Sequence, residues 1–190
     1  VWRIIFFVPY VCSTIALTLM WKEMFNPAWG IINQILGNTD LANGAINWTG
    51  EPTAFYCMVI IMSVWSGMGY GILLYSAALT NVDQSTVEAA TIDGAGPFRI
   101  FFCVVLPTIS PTTFYLLITG IIGLLQSFAT TFTLGSSLTT QSLTIVYYMY
   151  NYMMAYDLGV AGAAAWVLTI FILIVTLIQF IGSKRWVKYD

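Results

Sequence analysis

At 190 residues, 59% hydrophobic and only 7% charged, with a mean hydropathy of +0.85, the chain is too apolar for a water-soluble core and reads as an integral membrane protein. A net charge of −2 offers no basic face for nucleic acid, and a sequence without histidine excludes His-based acid–base chemistry and most zinc sites. Cys12, Cys57 and Cys103 are too few and too scattered for a disulfide framework and read as small apolar side chains in or beside spans.

Four apolar segments are long enough to cross a bilayer as helices, and the first runs from about Ile4 to Met20. It is short, and Pro9 frees a carbonyl that must find another donor. Trp21, Lys22 and Glu23 follow it where a signal peptide would carry a small-residue cleavage site, so no leader is read here. The stretch from Trp21 to Thr53, with Trp29 and Trp48, has the aromatic character of a membrane interface.

The second span covers Ala54 to Leu79. Within it Ser63, Ser66, Gly67 and Tyr70 follow i, i+3, i+4, i+7 spacing and share one helix face. Such a face can line a solute path, because hydroxyls exchange hydrogen bonds with a polar solute and an aromatic ring covers an apolar side of it. It can equally pack against another helix, the usual work of small and hydroxylic residues in membranes. Gly67-Met68-Gly69-Tyr70-Gly71 contains the Gly-Tyr-Gly of a potassium filter, which raises a passive channel as a rival reading. A filter needs an extended loop beside a water-filled route, whereas these residues lie inside a continuous 26-residue apolar run.

Between the second and third spans the chain turns polar. Ser85 followed by Glu88 has the spacing of a capping box and predicts a helix start. Val87, Ala89, Ala90 and Ile92 continue that helix, Asp93-Gly94 suits its end, and Pro97 suits the first turn of the next one. A helix of about two turns is marginal alone in water, so it is either a lid on its own protein or a peg that docks into a partner.

The third span runs from Ile100 to Leu125, with Pro107 and Pro111 near its start, where proline costs least. Gly120, Gly123 and Ser127 form one small, polar face, while Thr112, Tyr115, Thr119 and Gln126 form a second row that can face another chain. The stretch from Gln126 to Asp157 carries Tyr147, Tyr148, Tyr150, Tyr152 and Tyr156, again an interfacial composition, and the fourth span covers Leu158 to Ser183.

Orientation follows from the basic residues. With Arg3 inside the cell, Arg99, Lys184, Arg185 and Lys188 are also inside and only Lys22 is outside, so five of six obey the positive-inside rule. The polar loop is then cytoplasmic and both ends of the sequence face the cytoplasm. There is no G-x-x-x-x-G-K-[ST] loop, so an ATP-driven process would have to draw on another subunit. The four spans hold no internal Asp, Glu, Lys or Arg, which disfavours proton-coupled transport and favours a neutral ligand. An intramembrane enzyme is a further rival, but Ser63 and Ser66 have no histidine or membrane-embedded lysine to activate them, so no catalytic residue, metal ligand or cofactor site is read.

Glu88-Ala89-Ala90, Asp93-Gly94-Ala95 and Leu106-Pro107 together resemble the EAA loop of permease subunits of binding-protein-dependent ABC importers. WRIIFFVPY at the start, WKEMFNPAWGIIN after the first span and DLGVAGAAAW before the last are similar to the maltose-type sugar permeases. Val104 stands where that family more often has isoleucine, and LGSS from Leu134 to Ser137 replaces a common Gly-Gly-Pro. The resemblance implies an all-α integral membrane fold, a polytopic bundle of the type I (MetI-like) importer kind, with four transmembrane helices here. It implies that residues 1–190 belong to one transmembrane domain preceded by further helices, with residues 80–99 as the cytoplasmic coupling loop. It further implies a bacterial or archaeal inner membrane, a second permease, a cytoplasmic ATPase dimer that performs the hydrolysis, an extracytoplasmic solute-binding protein and a small sugar as cargo. Another small solute is the alternative cargo. On this reading Glu88, Ala89, Ala90, Asp93, Gly94, Ala95, Leu106 and Pro107 couple to the ATPase, and Ser63, Ser66, Gly67, Tyr70, Gly120, Gly123 and Ser127 are the candidate path.

Overall fold

The computed structural model describes residues 2–37, 44–134, 144–184 and 186–187, with the side chains of residues 2–5 outside the description. Among these residues all regular structure is helical. In chain order the helices are α1 (Trp2–Val11), α2 (Thr14–Met24), α3 (Ile31–Ile35), α4 (Pro52–Leu79), α5 (Gln84–Ile92) and α6 (Pro97–Ile100). A π-helical turn (Phe101–Val105) leads into α7 (Leu106–Thr108) and α8 (Ser110–Leu125), followed by α9 (Ala129–Leu134), α10 (Ile145–Met154) and α11 (Leu158–Ser183). Arg185, Lys188 and Gly135 to Ser137 lie outside the described residues.

Among the described residues three helical stretches, Pro52–Leu79, Ser110–Leu134 and Leu158–Ser183, are long and apolar enough to cross a membrane, one fewer than the sequence predicts. The expected span from Ile4 to Met20 is two helices of 10 and 11 residues. Ser13 leaves helical geometry at φ −58°, ψ 128°, and its carbonyl accepts the Leu17 amide at 3.0 Å, which starts α2 anew. Apolar composition runs through this break unchanged, so a hydropathy window cannot see it. The third span starts at Ser110 and not at Ile100. Pro107 lacks an amide, the backbone loosens to π geometry before it, and Ile109 at φ −88°, ψ 0° separates α7 from α8.

The chain forms two compact units, Val1–Gly69 with Leu125–Leu168 and Tyr70–Leu124 with Thr169–Asp190. The first is built on Trp21, Phe25, Trp48, Ala54, Phe55, Met58, Met62 and Leu134. Phe25 meets Trp48 edge to face with ring centroids 4.8 Å apart and stacks on Trp21 at 5.4 Å. Buried Asn33 fastens this cluster: its Oδ1 accepts from Trp48 Nε1 at 2.9 Å and its Nδ2 donates to the Ile46 carbonyl at 3.1 Å. Paired in this way, the indole and amide avoid the cost of about 1–3 kcal/mol that an unsatisfied buried polar group carries. Helix α9 packs on α2; Thr130, Thr131 and Leu134 are buried on α9 and Thr18 on α2, and the small threonines let the backbones approach.

In the second unit Phe114 of α8 meets Phe180 of α11 edge to face at 5.2 Å, and Trp186 lies beyond it at 6.1 Å. Two hydroxyl contacts tie α8 to the end of α4: Tyr75 Oη donates to Thr113 Oγ1 at 3.2 Å, and the Tyr70 and Tyr115 hydroxyls are 3.3 Å apart.

Candidate coupling helix and translocation path

Helix α4 ends at Leu79 in a tightened turn, where the Thr80 amide and hydroxyl both donate to the Ala77 carbonyl. Four residues later Asp83, at φ −67°, ψ 118°, caps α5 by accepting the Ser85 amide at 3.0 Å. The expected Ser85–Glu88 capping box is therefore not the one formed. Helix α5 begins at Gln84, so Ser85 lies inside it and spends its hydroxyl as a donor to Asp83 Oδ2 at 2.6 Å. An ionised carboxylate is the stronger acceptor for orphan amides and also meets the positive end of the helix. The Ser85 hydroxyl, then the Ser85 amide, and lastly Thr86 hold the Asp83 carboxyl below the usual aspartate range against a small opposing effect of desolvation. Glu88 is exposed and has no hydrogen-bond partner among the described residues, so the capping task falls to Asp83 and leaves the Glu88 carboxylate in solvent.

The other end of α5 follows the sequence expectation closely. Gly94 adopts φ +77°, its amide donates to the Thr91 carbonyl at 3.0 Å, and the Ala95 amide reaches back to the Ala90 carbonyl at 3.0 Å. This is a complete Schellman closure, and the left-handed residue it needs is the glycine. The Asp93 amide closes on the Ala89 carbonyl, and Gly96 precedes Pro97, the first residue of α6. The helix thus satisfies both of its own ends.

No residue of α5 is buried, and Ile92 is 86% exposed. Among the described residues α5 meets mainly the start of α6, the next helix in the chain, and Val87 and Ala90 are half-buried, so the helix is left largely open to solvent. Asp93 sits at the negative end of the helix dipole, where a carboxylate weakens the helix, so local stability does not account for it. Leu106 and Pro107 stand apart from α5, beyond α6 and the π turn. There the Ser110 hydroxyl donates to the Pro107 carbonyl at 2.6 Å, a carbonyl that Pro111, lacking an amide, cannot serve.

The candidate path residues divide. Ser63, Ser66 and Gly67 belong to the first unit with Ser127, and Tyr70, Gly120 and Gly123 belong to the second. Ser63 and Ser66 are half-buried, and Ser66 returns its hydroxyl to the Met62 carbonyl, the common fate of a membrane serine. An added Cβ at Gly67, Gly71, Gly120 or Gly123 would meet nothing within 4 Å among the described residues outside its own turn of helix. Gly69 is the packing glycine of that run: a Cβ there would strike the Phe6 carbonyl and come within 2.8 Å of Phe7 Cα. The run is an uninterrupted helix, so the extended filter of the channel reading is not formed.

The second polar row of α8 has a role that spacing alone did not expose. Thr112 and Tyr115 line a cavity of about 350 Å³ with Leu74, Ala77, Asn81 and Pro111. The sequence reading missed Asn81 because it falls in the turn after α4. Its only signal was an amide two residues before the Asp83 cap.

Three comparisons bear on what these elements build. The profile of the family described as binding-protein-dependent transport system inner membrane component matches residues 1–187. The sn-glycerol-3-phosphate transport system permease protein UgpA of Yersinia enterocolitica is 34% identical over 198 residues, covering all of this chain and 64% of that protein. The probable ABC transporter permease protein YesP of Bacillus subtilis is 30% identical, covering all of this chain and 62% of that protein. The chain therefore spans a little under two thirds of these relatives. A bacterial ABC transporter involved in the import of the acidic polysaccharide alginate has a chain with the same fold, at a TM-score of 0.81 and 21% identity over 98% of this chain and 65% of that one. With the profile matching nearly its whole length, the chain belongs to the binding-protein-dependent transport system inner membrane component family.

Proposed function

We propose that the chain is one permease subunit of an ATP-driven carbohydrate importer, working with a second permease, a cytoplasmic ATPase dimer and an extracytoplasmic binding protein. The observation that carries this reading is α5, a helix closed by Asp83 at one end and Gly94 at the other that has no buried residue. A self-capped, exposed helix is preorganised to enter a cleft, so docking does not have to supply its folding cost. Asp83, Glu88 and Asp93 complement a basic acceptor, and the small Ala89 and Ala90 let a partner approach the backbone. Leu106 and Pro107 join this helix to α8, through which movement of α5 reaches the membrane.

Hydrolysis belongs to the partner ATPase. The chain lies in the inner membrane, with α1 and α2 together completing the first crossing and both ends of the sequence cytoplasmic. In a cysteine-free background, Gln84→Cys should then label only from inside and Asp157→Cys from outside. The relatives are named for sn-glycerol-3-phosphate and for the acidic polysaccharide alginate, which supports a hydroxylated cargo. The stretches Pro52–Leu79, Ser110–Leu134 and Leu158–Ser183 carry no Asp, Glu, Lys or Arg, which favours a neutral sugar. Ser63, Ser66, Gly67, Tyr70, Gly120, Gly123 and Ser127 are its proposed contacts.

Co-purification from membranes tests the assembly. The full-length chain should carry an ABC ATPase and a second permease with it, and a chain isolated alone under conditions that preserve related transporters would count against the proposal.

A further inference from the structure

We propose that the aromatic face of residues 97–108 binds the phospholipid bilayer surface and holds the foot of α8 among the lipid headgroups while α5 stays in water. The inference rests on the reading of α5 as the ATPase contact, which sets the side of the membrane. Pro97–Thr108 is an apolar helical stretch of 12 residues, too short to span. A stretch of that length is either core or interfacial, and no residue of α6, the π turn or α7 is buried. Burial begins just beyond, at Ile109, Ser110 and Phe114, where α8 enters its packed unit.

The exposed side chains are not scattered. Phe98, Phe101 and Phe102, 81%, 45% and 60% exposed, line one cleft of about 340 Å³ with Pro97. Arg99 is the only charged residue of the stretch. Aromatic rings at the acyl boundary and a guanidinium reaching a phosphate are what the interfacial layer accepts. The neighbouring helix has the opposite chemistry, with Asp83, Glu88 and Asp93 and no aromatic residue. Two adjacent exposed surfaces of such different character point to two different occupants, a basic protein cleft for α5 and an anionic lipid surface for the aromatic face.

The test uses the full-length chain with its sister permease and ATPase, in vesicles of phosphatidylethanolamine and phosphatidylglycerol. A photoreactive benzoylphenylalanine replaces Phe98, Phe102 or, separately, Glu88. The Phe98 and Phe102 probes should give phospholipid adducts by mass spectrometry, with phosphatidylglycerol favoured about fivefold over phosphatidylethanolamine, and Arg99→Gln should abolish that preference. Adducts from Phe98 and Phe102 to the ATPase or the sister permease, or no lipid adducts, would overturn the proposal. A Glu88 probe that misses the ATPase while the aromatic probes still take lipid would remove the coupling reading and leave the lipid contact standing.

Discussion

Replacing Gly94 isolates the conformational requirement of the coupling helix from any contact it makes. The residue sits at φ +77°, and beyond its chain neighbours an added Cβ would meet nothing within 4 Å among the described residues, so the penalty of a side chain is backbone strain. An L-residue in the left-handed region costs about 1–2 kcal/mol, with a β-branched one at the upper end. Escaping the strain means giving up the Ala95–Ala90 and Gly94–Thr91 hydrogen bonds, which contribute about 1 kcal/mol each. By either route Gly94→Val loses about 2 kcal/mol, roughly a thirtyfold fall in the population of correctly ended helix. Helix α5 has nine residues and no buried contact to absorb that loss. Gly94→Asn, whose side chain tolerates the left-handed region, should stay close to wild type, and Gly94→Ala should fall between them. The assay is sugar taken up per ATP hydrolysed by the reconstituted transporter, with amide exchange at Ala95 as the structural readout. Wild-type coupling in Gly94→Val would refute the reasoning, and so would an Asn variant as impaired as the Val variant, because that pattern belongs to a contact and not to a backbone angle.

Acid should loosen the start of the same helix. The Asp83 carboxyl is held below its unfolded value, so its contribution is present above the ordinary aspartate range near 3.9 and is lost as pH falls through the depressed folded value. Ser85 amide exchange should accelerate over that window, and Asp83→Asn, which keeps an acceptor, should flatten the pH dependence. Gly69→Leu should destabilise the detergent-solubilised protein by about 1–3 kcal/mol through overpacking against the Phe6–Phe7 backbone, seen as a lower melting temperature, whereas Gly67→Ala, with open space, should stay within about 0.5 kcal/mol of wild type. Tyr70→Phe and Ser127→Ala should change sugar preference or transport affinity while leaving assembly and basal ATP hydrolysis intact. Loss of assembly alone would assign both residues to packing.

The end of α5 was legible because its rules are local: a left-handed residue at Gly94 and a ring-fixed φ at Pro97 follow from the residue types themselves. Its start was misread by two residues. Asp83 and Ser85 both suit a cap, and the spacing to Glu88 favoured the serine, whereas the charged acceptor took the position. The break at Ser13 and the π turn at Phe101–Val105 are backbone events inside apolar sequence, which hydropathy does not register. Pro9 and Pro107 were the available hints, and neither stands at the residue where α-helical geometry is lost. The pairing of Asn33 with Trp48 joins residues 15 apart through folding and has no signature in either segment. Path and packing stayed open at Ser63 and Tyr70 because helical spacing is the same for both. Gly69 could be assigned only when Phe6 and Phe7 were seen against it.

The central claim, that this chain conducts a solute using energy received through α5, is tested most directly by uptake into vesicles holding the full-length chain, its sister permease and its ATPase, with binding protein added outside. The account predicts that labelled sugar accumulates against its gradient only when ATP is inside and binding protein is outside, and that a proton ionophore leaves the rate unchanged. Downhill flux without ATP, or accumulation abolished by the ionophore while ATP is held constant, would contradict it.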